Sequence, residues 1–332
     1  MKKWSELSVL IAGCGSIGKR HARVLEHLGL LDLRACDLGA KARQEMLDQS
    51  KSIKIHSSFE EGLKDKPDAV LICTPPSMHI PMAIQAIDAG CHVLIEKPLS
   101  DSPNGADVLM TLAERQNKKV MVALCFRYHK GVIKARDNLL SGRFGRLVCV
   151  RAFCGENLPE VRLDYRQLDS SKHLGALELM HDLDLALWMA GVPVKSVTSV
   201  CGNFSDIGIE APDTAEIIIG FDGRCLASVH LDFFQKPRRR YLELMCTEGV
   251  IILAFASWDN CRLSTFRAAE KSWENEELNT QRDDMLKAED KEFLRAVAEN
   301  LPIQCSIAEG LKSVEVVSAV LEHFTVQYVR TR

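Results

Sequence analysis

The sequence contains no run of apolar residues long enough to cross a membrane. Its hydrophobic stretches fall well short of the roughly 18 consecutive apolar residues that a spanning helix needs. An excess of one charge is also missing, since 42 Lys and Arg stand against 45 Asp and Glu, for a net charge of -3. This balance gives no basis for binding nucleic acid or an anionic membrane. A small, near-neutral ligand fits the composition better.

The 12 cysteines lack the spacing of a metal site or of a disulfide scaffold. None forms a C-x-x-C pair, and Cys36, Cys73 and Cys91 lie within apolar runs. Structural zinc needs closely spaced Cys and His ligands, and disulfide frameworks belong mainly to small secreted domains. We therefore expect buried, reduced thiols, no bound metal and a cytoplasmic location. The short apolar stretch after Lys3 is expected to form a strand rather than a secretion signal.

No internal repeat or low-complexity tract divides the chain, and its 332 residues exceed what one core usually supports. Residues 1–125 alternate short apolar runs with helical patterns, which is typical of βαβ units and predicts a doubly wound parallel sheet. Residues 126–332 follow a different rhythm, with five or six strand-like runs between Val194 and Leu263 that predict a large, mostly antiparallel sheet. We expect two domains, 1–125 and 126–332, and allow for the last helices to pack back on the first.

Three helical patterns of the second half are long enough to predict individually. One runs from Leu174 to Met189 and ends before Gly191, and the others cover Met285–Glu299 and Ala308–His323. The polar stretch from 268 to 283 carries no clear strand or helix pattern. An α+β arrangement of the second domain follows from these elements.

A glycine pattern follows the first apolar strand and opens the first helix, in the order G-x-G-x-x-G, and an aspartate ends the next strand about 20 residues later. In dinucleotide-binding folds such glycines allow a tight turn, close approach of the pyrophosphate and close helix packing, while the helix N-terminus supplies N–H donors. The aspartate would bind the adenosine ribose and repel a 2′-phosphate, which favours NAD over NADP. The expected cofactor-binding residues here are Gly13, Gly15, Ser16, Ile17, Gly18 and Asp37.

Two further strands end in unusual residues. Thr74 and Pro75 follow one apolar run, and Glu96 and Lys97 follow the next, just before Pro98. A lysine after a strand is ordinarily a solvated surface residue. Ligands of doubly wound sheets, however, bind beyond the carboxyl ends of strands, and the proline restricts the turn. We therefore expect Lys97 to point at the crevice where the nicotinamide lies.

With these motifs and the Phe126–His129 and Glu178–Asp184 segments, the sequence resembles the glucose-fructose oxidoreductase, inositol dehydrogenase and rhizopine-catabolism family of dehydrogenases (Gfo/Idh/MocA) over nearly its whole length. The resemblance implies an N-terminal Rossmann domain and a C-terminal domain whose open sheet serves oligomerisation, as a homodimer or homotetramer. It also implies catalysis by a lysine of the Glu-Lys-Pro turn and a helix histidine. These residues correspond to Lys97 and His181.

The resemblance, taken with the local patterns, yields the rest of the candidate site. Glu178 and His181 stand three residues apart in a predicted helix, so the carboxylate is expected to orient the imidazole. As an alternative, His181 could be a core histidine of an apolar helix. The further residues expected to bind cofactor are Thr74, Pro75, His79, Glu96 and Lys97, and those expected to bind substrate are Arg127, His129, Tyr165, Arg166, Glu178 and Asp182.

The expected activity is hydride transfer between NAD and a secondary alcohol of a sugar, sugar derivative or cyclitol. His181 would remove the hydroxyl proton while Lys97 stabilises the alkoxide. Two alternatives stay open. One is an NAD-using glycosidase or lyase that oxidises its sugar transiently without net redox change, and the other is a non-catalytic NAD-binding regulator.

Overall fold

The protein is described from a computed structural model, which covers residues 3–50, 52–168, 171–257 and 259–322. These residues form two compact units. The first takes in the described residues up to Tyr128 together with Asp283–Val314, and the second takes in the described residues of His129–Arg282 and those from Glu315 onward. The segment from Asp283 therefore belongs to the same unit as the glycine pattern.

The first unit is built on a six-stranded parallel sheet. Its strands are β1 (Ser8–Ala12), β2 (Asp32–Cys36), β3 (Lys54–His56), β4 (Ala69–Ile72), β5 (His92–Glu96) and β6 (Val120–Ala123). Its first helices are α1 (Ser16–His27), α2 (Ala40–Gln49), α3 (Phe59–Lys64), α4 (His79–Asp88) and α5 (Ala106–Arg115). The strand order, β3-β2-β1-β4-β5-β6, is that of doubly wound dinucleotide-binding folds.

The register of the parallel strands brings their carboxyl ends to one edge. Ala12, the last residue of β1, pairs with Cys36 of β2 and with Ile72 of β4, and Ile72 pairs in turn with Ile95 of β5. The strands β1, β4 and β6 are buried along their whole length, which explains their continuous apolar runs. The residues that follow these strands are therefore neighbours.

The second unit carries an eight-stranded sheet in the order β14-β13-β12-β11-β7-β10-β9-β8. Its strands are β7 (Leu147–Asn157), β8 (Val194–Gly202), β9 (Thr214–Phe221), β10 (Leu226–Asp232), β11 (Phe234–Cys246), β12 (Gly249–Phe255), β13 (Asn260–Arg267) and β14 (Ser272–Asn279). The helices in the rest of the chain, including α9 of the first unit, are α6 (Lys130–Leu140), α7 (Leu158–Val161), α8 (His181–Ala190), α9 (Asp284–Glu299) and α10 (Ile307–Glu322). The strands pair antiparallel except β7 with β10, so the predicted fold class is confirmed.

One face of the large sheet is covered and the other is open. Helix α8 packs on β7 and β10, and α6 packs on β12 and β13. Along β9, Ala215, Ile217 and Ile219 are fully buried, whereas Glu216 and Ile218 between them are exposed. This alternation is the pattern of an antiparallel sheet with one side against a core.

The predicted helix from Leu174 to Met189 is wrong in its first half. A 3-10 helix covers Gly175–Leu179, and the α-helix begins only at His181. The backbone of Pro212 causes the break, because its carbonyl oxygen accepts the N–H of Ala176 at 2.8 Å and would lie 1.9 Å from a β-carbon on Gly175. Glu178 and His181 therefore do not share a turn of α-helix.

The polar stretch 268–283 also differs from expectation, since it contains β14. This strand pairs with β13 at the edge of the sheet and is exposed at nearly every position. Because nearly every position is exposed, its glutamates do not alternate with buried apolar residues, and the sequence shows no period-2 pattern. Charged residues on an edge strand also oppose pairing with another chain. His323, the predicted end of the last helix, lies outside the described residues.

Helices with enough length and hydropathy to cross a bilayer are absent from the described residues.

A buried ion pair fixes the start of α8 to β11 within the second unit. The guanidinium of Arg240 lies 2.8–2.9 Å from both carboxylate oxygens of Asp182, and both side chains are 3% exposed. The same guanidinium lies 5.5 Å from the centre of the Phe255 ring. The close approach of the guanidinium to both oxygens and the burial of both side chains make each partner costly to remove alone.

Replacing Arg240 by methionine should lower the free energy of unfolding by about 3–5 kcal/mol, because the Asp182 carboxylate would stay buried without its cation. Urea unfolding followed by circular dichroism measures the change. The matched control is Arg262→Met, which removes an exposed pair with Glu277 and should change stability by less than about 0.5 kcal/mol. Equal effects of the two variants would contradict a structural role for the buried pair.

Candidate active site

The glycine pattern forms the turn between β1 and α1, as the sequence predicts. Gly13 has φ +105°, and a β-carbon on it would lie 2.6 Å from the carbonyl oxygen of Cys73. A β-carbon on Gly18 would lie 2.0 Å from the carbonyl oxygen of Gly13, so helix and turn approach as only glycine allows. A β-carbon on Gly15 would meet nothing within 4 Å. The turn is closed on the protein side and open where a pyrophosphate would bind.

Asp37 stands at the end of β2 with its carboxylate fixed beside this turn. One oxygen accepts the N–H of Cys14 at 2.8 Å, and the other accepts the N–H of Gly39 at 2.7 Å. The guanidinium of Arg43 donates to the main-chain carbonyls of Asp37 and Leu38, at 2.6 and 2.9 Å. The carboxylate is therefore preorganised as an acceptor for a ribose hydroxyl.

A cavity of about 370 Å³ lies beside the turn and Asp37 in the first unit. Its rim includes two exposed apolar side chains, Leu38 at 86% and Met78 at 47%. Its size and its mixture of apolar walls with two carboxylates, Asp37 and Glu60, suit the adenosine half of a dinucleotide. The residues that line it are Ala12, Gly13, Cys36, Asp37, Leu38, Phe59, Glu60, Thr74, Pro75, Met78, Met82 and Gln85.

The N-terminus of α1 completes this binding surface. The helix begins at Ser16, followed by Ile17, so the first N–H groups of the helix have no acceptor within it. Such groups and the helix dipole attract a phosphate. The open turn, the helix N-terminus and the oriented carboxylate together fit NAD, which the sequence predicted.

His79 joins the two loops that follow β4 and β5. Its ring lies between the main-chain carbonyls of Pro98 and Thr74, at 2.8 and 2.7 Å, and the residue is 1% exposed. Burial lowers the pKa of this imidazole. The structure thus gives His79 a role in holding the loops, and its direct contact with cofactor stays a prediction.

Glu96 and Lys97 end β5 in the predicted place. One oxygen of the Glu96 carboxylate accepts the main-chain N–H of Lys97 at 3.0 Å, and the other lies 3.0 Å from Nε2 of His21 on α1. Nδ1 of the same imidazole is 2.9 and 3.0 Å from the two carboxylate oxygens of Asp290 on α9. The turn that presents Lys97 is therefore connected to two helices.

The charges of this cluster follow from its contacts. Burial alone would lower the pKa of His21, but the carboxylate of Asp290 and the hydrogen bonds with Asp290 and Glu96 raise it well above its ordinary value. Burial opposes ionisation of Glu96, yet its hydrogen bond and attraction to His21 hold the pKa of Glu96 below its ordinary value. His21 is thus a cation between carboxylates.

Arg127 and His129 are both buried, each within its own unit. In the first unit, Arg127 is 2% exposed and donates to Glu309 at 2.9 Å. In the second unit, His129 accepts the N–H of Gly131 at the start of α6. Burial, and then the charge of Arg240, lowers the pKa of His129 to about 4, so it is neutral at pH 7. Both side chains have structural partners, and their substrate contacts stay predictions.

Tyr165 and Arg166 lie in a short 3-10 helix of the second unit. The Tyr165 hydroxyl donates to the carbonyl of Ile207 at 2.8 Å, and Arg166 donates to the same carbonyl at 3.3 Å. These bonds tie the segment to the loop before β9. Arg166 is exposed and Tyr165 is half-buried, so both have surface left for a ligand.

His181 occupies the first position of α8 and is half-buried, as is Glu178 in the preceding 3-10 helix. Asp182, by contrast, is bound to Arg240 and supports the helix start. Sequence reasoning missed this partner, and it also missed Asp290, Leu38 and Met78. An acidic residue on the apolar face of α9 was the available signal for Asp290.

Comparison with known proteins matches both halves of the chain. The family described as "Oxidoreductase family, NAD-binding Rossmann fold" matches residues 7–124, and the "GFO/IDH/MocA C-terminal domain" matches residues 132–252. These two matches agree with the resemblance drawn from the motifs.

Individual relatives are distant. Myo-inositol dehydrogenase Hyg17 of Streptomyces leeuwenhoekii is 25% identical over 210 residues, which cover 61% of this chain and 63% of that protein. Inositol 2-dehydrogenase of Salmonella typhimurium is 29% identical over 196 residues, covering 56% of this chain and 55% of that protein. The chain thus aligns with little more than half the length of these relatives. A 4-carboxy-2-hydroxymuconate-6-semialdehyde dehydrogenase of Sphingobium is 23% identical and covers 92% and 95%.

Solved structures share the fold. A levoglucosan dehydrogenase in complex with NADH and levoglucosan has a TM-score of 0.84 at 20% identity and covers 96% of each chain. An oxidoreductase of Agrobacterium radiobacter in complex with NAD+, L-tartaric acid and magnesium has a TM-score of 0.85 at 18% identity, again with 96% of each chain covered.

Replacing Asp37 by asparagine should weaken NAD binding about 10- to 100-fold, because a charge-assisted hydrogen bond to the ribose contributes about 1.5–3 kcal/mol. The ratio of NADP to NAD affinity should rise, since repulsion of the 2′-phosphate is removed. Isothermal titration calorimetry measures both. The control is Lys54→Ala, a 60% exposed cation at the start of β3 that should leave both affinities unchanged. Unaltered NAD binding by Asp37→Asn would place the ribose elsewhere.

Proposed function

Since the chain belongs to the Gfo/Idh/MocA oxidoreductase family, we propose that it transfers a hydride between NAD and a secondary alcohol of a sugar, sugar derivative or cyclitol. One observation carries the proposal: Lys97 follows β5 at the sheet edge where the glycine turn and Asp37 also lie. Ligands of doubly wound sheets bind at this edge. This position supports a role for Lys97 beside the cofactor.

NAD supplies the hydride acceptor when it is bound. Lys97 donates a hydrogen bond to the alcohol oxygen and stabilises its negative charge as the C–H bond breaks. His181 takes the hydroxyl proton, for which a half-buried imidazole at a helix start keeps accessible surface. The Glu96 carboxylate accepts the main-chain N–H of Lys97, and the charge of Lys97 also helps to lower the pKa of that carboxyl group.

Other polar residues divide between substrate contact and support. We propose that Glu178, Tyr165 and Arg166 contact the substrate hydroxyls, because each keeps accessible surface. Asp182 acts through its ion pair with Arg240, which fixes the start of α8 and thereby His181. Arg127 and His129 are buried with partners of their own, and their contacts with substrate stay predictions.

The relatives support a polyol substrate, since two are named as inositol dehydrogenases and one solved structure is a levoglucosan dehydrogenase. The Sphingobium relative, which aligns along almost its whole length, is named for a semialdehyde substrate. Carbonyl compounds should therefore be screened as a second class of substrate. The first substrates to assay with NAD are therefore myo-inositol and levoglucosan, then hexoses, amino sugars, uronic acids and semialdehydes. Net NADH production favours the dehydrogenase, whereas release of an aglycone without NADH favours the glycosidase or lyase.

A cytoplasmic location is part of this proposal. All twelve cysteines are free thiols, and burial raises the pKa of Cys73 and Cys125 well above the ordinary thiol value. Thiols in this state suit a reducing compartment.

Replacing Lys97 by methionine should lower turnover of the best substrate by about 10²- to 10⁴-fold, because the alkoxide loses its cation. NAD affinity should change little, since the adenosine and pyrophosphate contacts lie elsewhere. Steady-state kinetics and calorimetry separate the two effects. His181→Gln should produce a loss of similar size through the proton step.

The control for Lys97→Met is Lys118→Met. Lys118 is half-buried and donates to the carbonyl of Gly90 near the opposite ends of the strands, so turnover should stay at the wild-type level. Retained turnover by Lys97→Met would rule out the proposed role. Loss of turnover in both lysine variants would point to general damage rather than chemistry.

We also propose that the open face of the large sheet forms a homo-oligomer, as a dimer or tetramer. Phe153 stacks on His230 and on Tyr241, with centroids 4.3 and 5.4 Å apart, and Ile218 on the same sheet is 48% exposed. An aromatic and aliphatic surface of this kind is unusual on the solvent side of a monomer.

Replacing Ile218 by glutamate should shift the protein toward monomer, because a carboxylate would be buried in the contact. Sedimentation velocity measures the mass of wild type and variant. Val108→Glu, at a 54% exposed position of α5 in the first unit, is the matched control and should leave the mass unchanged. A wild-type monomer, or an Ile218→Glu protein of unchanged oligomeric mass, would contradict the proposed contact.

A further inference from the structure

Three elements far apart in the sequence meet at one buried histidine in the first unit. His21 on α1 is 1% exposed, and its two ring nitrogens contact Glu96 at the end of β5 and Asp290 on α9. Glu96 uses its second oxygen to accept the main-chain N–H of Lys97 at 3.0 Å. A continuous chain of hydrogen bonds therefore runs from α9 through α1 to the backbone of the lysine.

Both neighbours of His21 are carboxylates, and this fixes the direction of its hydrogen bonds. Burial raises the pKa of Asp290, and its attraction and hydrogen bond to His21 oppose that shift. An ionised carboxylate only accepts, so with both neighbours ionised each ring nitrogen donates and the ring carries both protons. The other charged or titratable groups around the cluster are Arg20, Lys97, Glu289, Cys73 and Cys125. Arg20 is itself paired with Asp283 at 2.7 Å.

Glu289 lies in the same cluster, where its surroundings disfavour a further negative charge. Its side chain is fully buried, and neither oxygen has a hydrogen-bond partner among the described residues. Burial, with the nearby carboxylates of Glu96 and Asp290, raises the pKa of Glu289 well above its ordinary value. The group is therefore an un-ionised acid, and the cluster contains one imidazolium cation between two carboxylates.

We propose that His21 is a positioning residue for Lys97: the imidazolium holds the Glu96 carboxylate on the lysine N–H, and Asp290 holds the imidazolium. The proposal rests on the proposed role of Lys97. A free glutamate at the end of a strand has several rotamers, and each would leave the lysine turn without this acceptor. Fixing the carboxylate fixes the backbone from which the ammonium projects, which is the requirement for placing a charge on a reacting oxygen.

The first test reads the hydrogen bond itself rather than activity. Amide exchange of Lys97 is followed by NMR on ¹⁵N-labelled wild-type and His21→Gln protein, with Leu94 in the middle of β5 as internal reference. A glutamine can reach one carboxylate at most, so exchange at Lys97 should become about tenfold faster or more, while exchange at Leu94 stays unchanged. An unchanged rate at Lys97 would overturn the proposal.

The matched control is His56→Gln in the same unit. His56 is also a buried histidine between two carboxylates, 3.1 Å from Asp65 and 3.9 Å from Glu61, but it lies on the edge strand β3. Loss of this pair should leave exchange at Lys97 at the wild-type rate. Faster amide exchange at Lys97 in both variants would mean that loss of either buried histidine loosens the turn. That result would overturn the proposal.

The second test separates positioning from cofactor binding. With the best polyol of the screen, His21→Gln should lower kcat about tenfold or more while the NAD dissociation constant changes less than about threefold. Faster exchange at Lys97 with unchanged kcat would overturn the positioning role although Lys97 itself could still be catalytic. Full activity of Lys97→Met would overturn the proposed function instead, and the exchange result would still decide whether His21 holds the turn.

Asp290→Asn provides a variant that conserves the bridge. An asparagine amide can donate to Nδ1 of a neutral His21, which keeps its Nε2–H toward Glu96 but loses its charge, so exchange at Lys97 should become faster than in wild type but less so than in His21→Gln. Long-range ¹⁵N–¹H spectra of the imidazole should show two protonated nitrogens in wild-type protein at pH 7 and one in Asp290→Asn. A wild-type spectrum with only one protonated nitrogen on His21 would by itself overturn the proposal.

Discussion

The parallel pairing of β1 with both β2 and β4 is the constraint on which the site depends. Because Ala12 is in register with Cys36 and Ile72, the residues that follow these strands lie at one edge of the sheet. That edge receives the glycine turn, the carboxylate of Asp37 and the wall of the cavity. Continuation of the same register to β5 adds Glu96 and Lys97. Strand pairing thus assembles a site from residues that are up to 84 positions apart.

The second feature that defines the first unit is the return of the chain at α9. This helix follows the whole large sheet in sequence, yet Asp290 contacts His21 on α1, and Arg20 on the same helix pairs with Asp283 just before α9. Ion pairs on a protein surface contribute little to stability. His21 and Asp290, in contrast, are fully buried and hydrogen-bonded to each other. The nucleotide-binding unit is therefore completed only when residues near 290 have joined it.

The sequence predicted these features to different degrees for physical reasons. Buried parallel strands such as β4 have apolar runs of their own, and the turn at Gly13 needs glycine for local steric reasons, so both could be read directly. The break before His181 depends on the carbonyl of Pro212, which is distant in sequence, and the strand β14 is exposed and acidic. Asp290 could not be assigned because its partner His21 lies 269 residues earlier. Contacts set by tertiary packing leave little local signal.

A crystal structure of the chain grown with NAD tests the central claim most directly. The account predicts pyrophosphate density at the turn between Gly13 and Gly18, ribose hydroxyls within hydrogen-bond distance of the Asp37 carboxylate, and the nicotinamide ring beside Lys97. Dinucleotide density in another cavity, or a nicotinamide directed away from the end of β5, would contradict it.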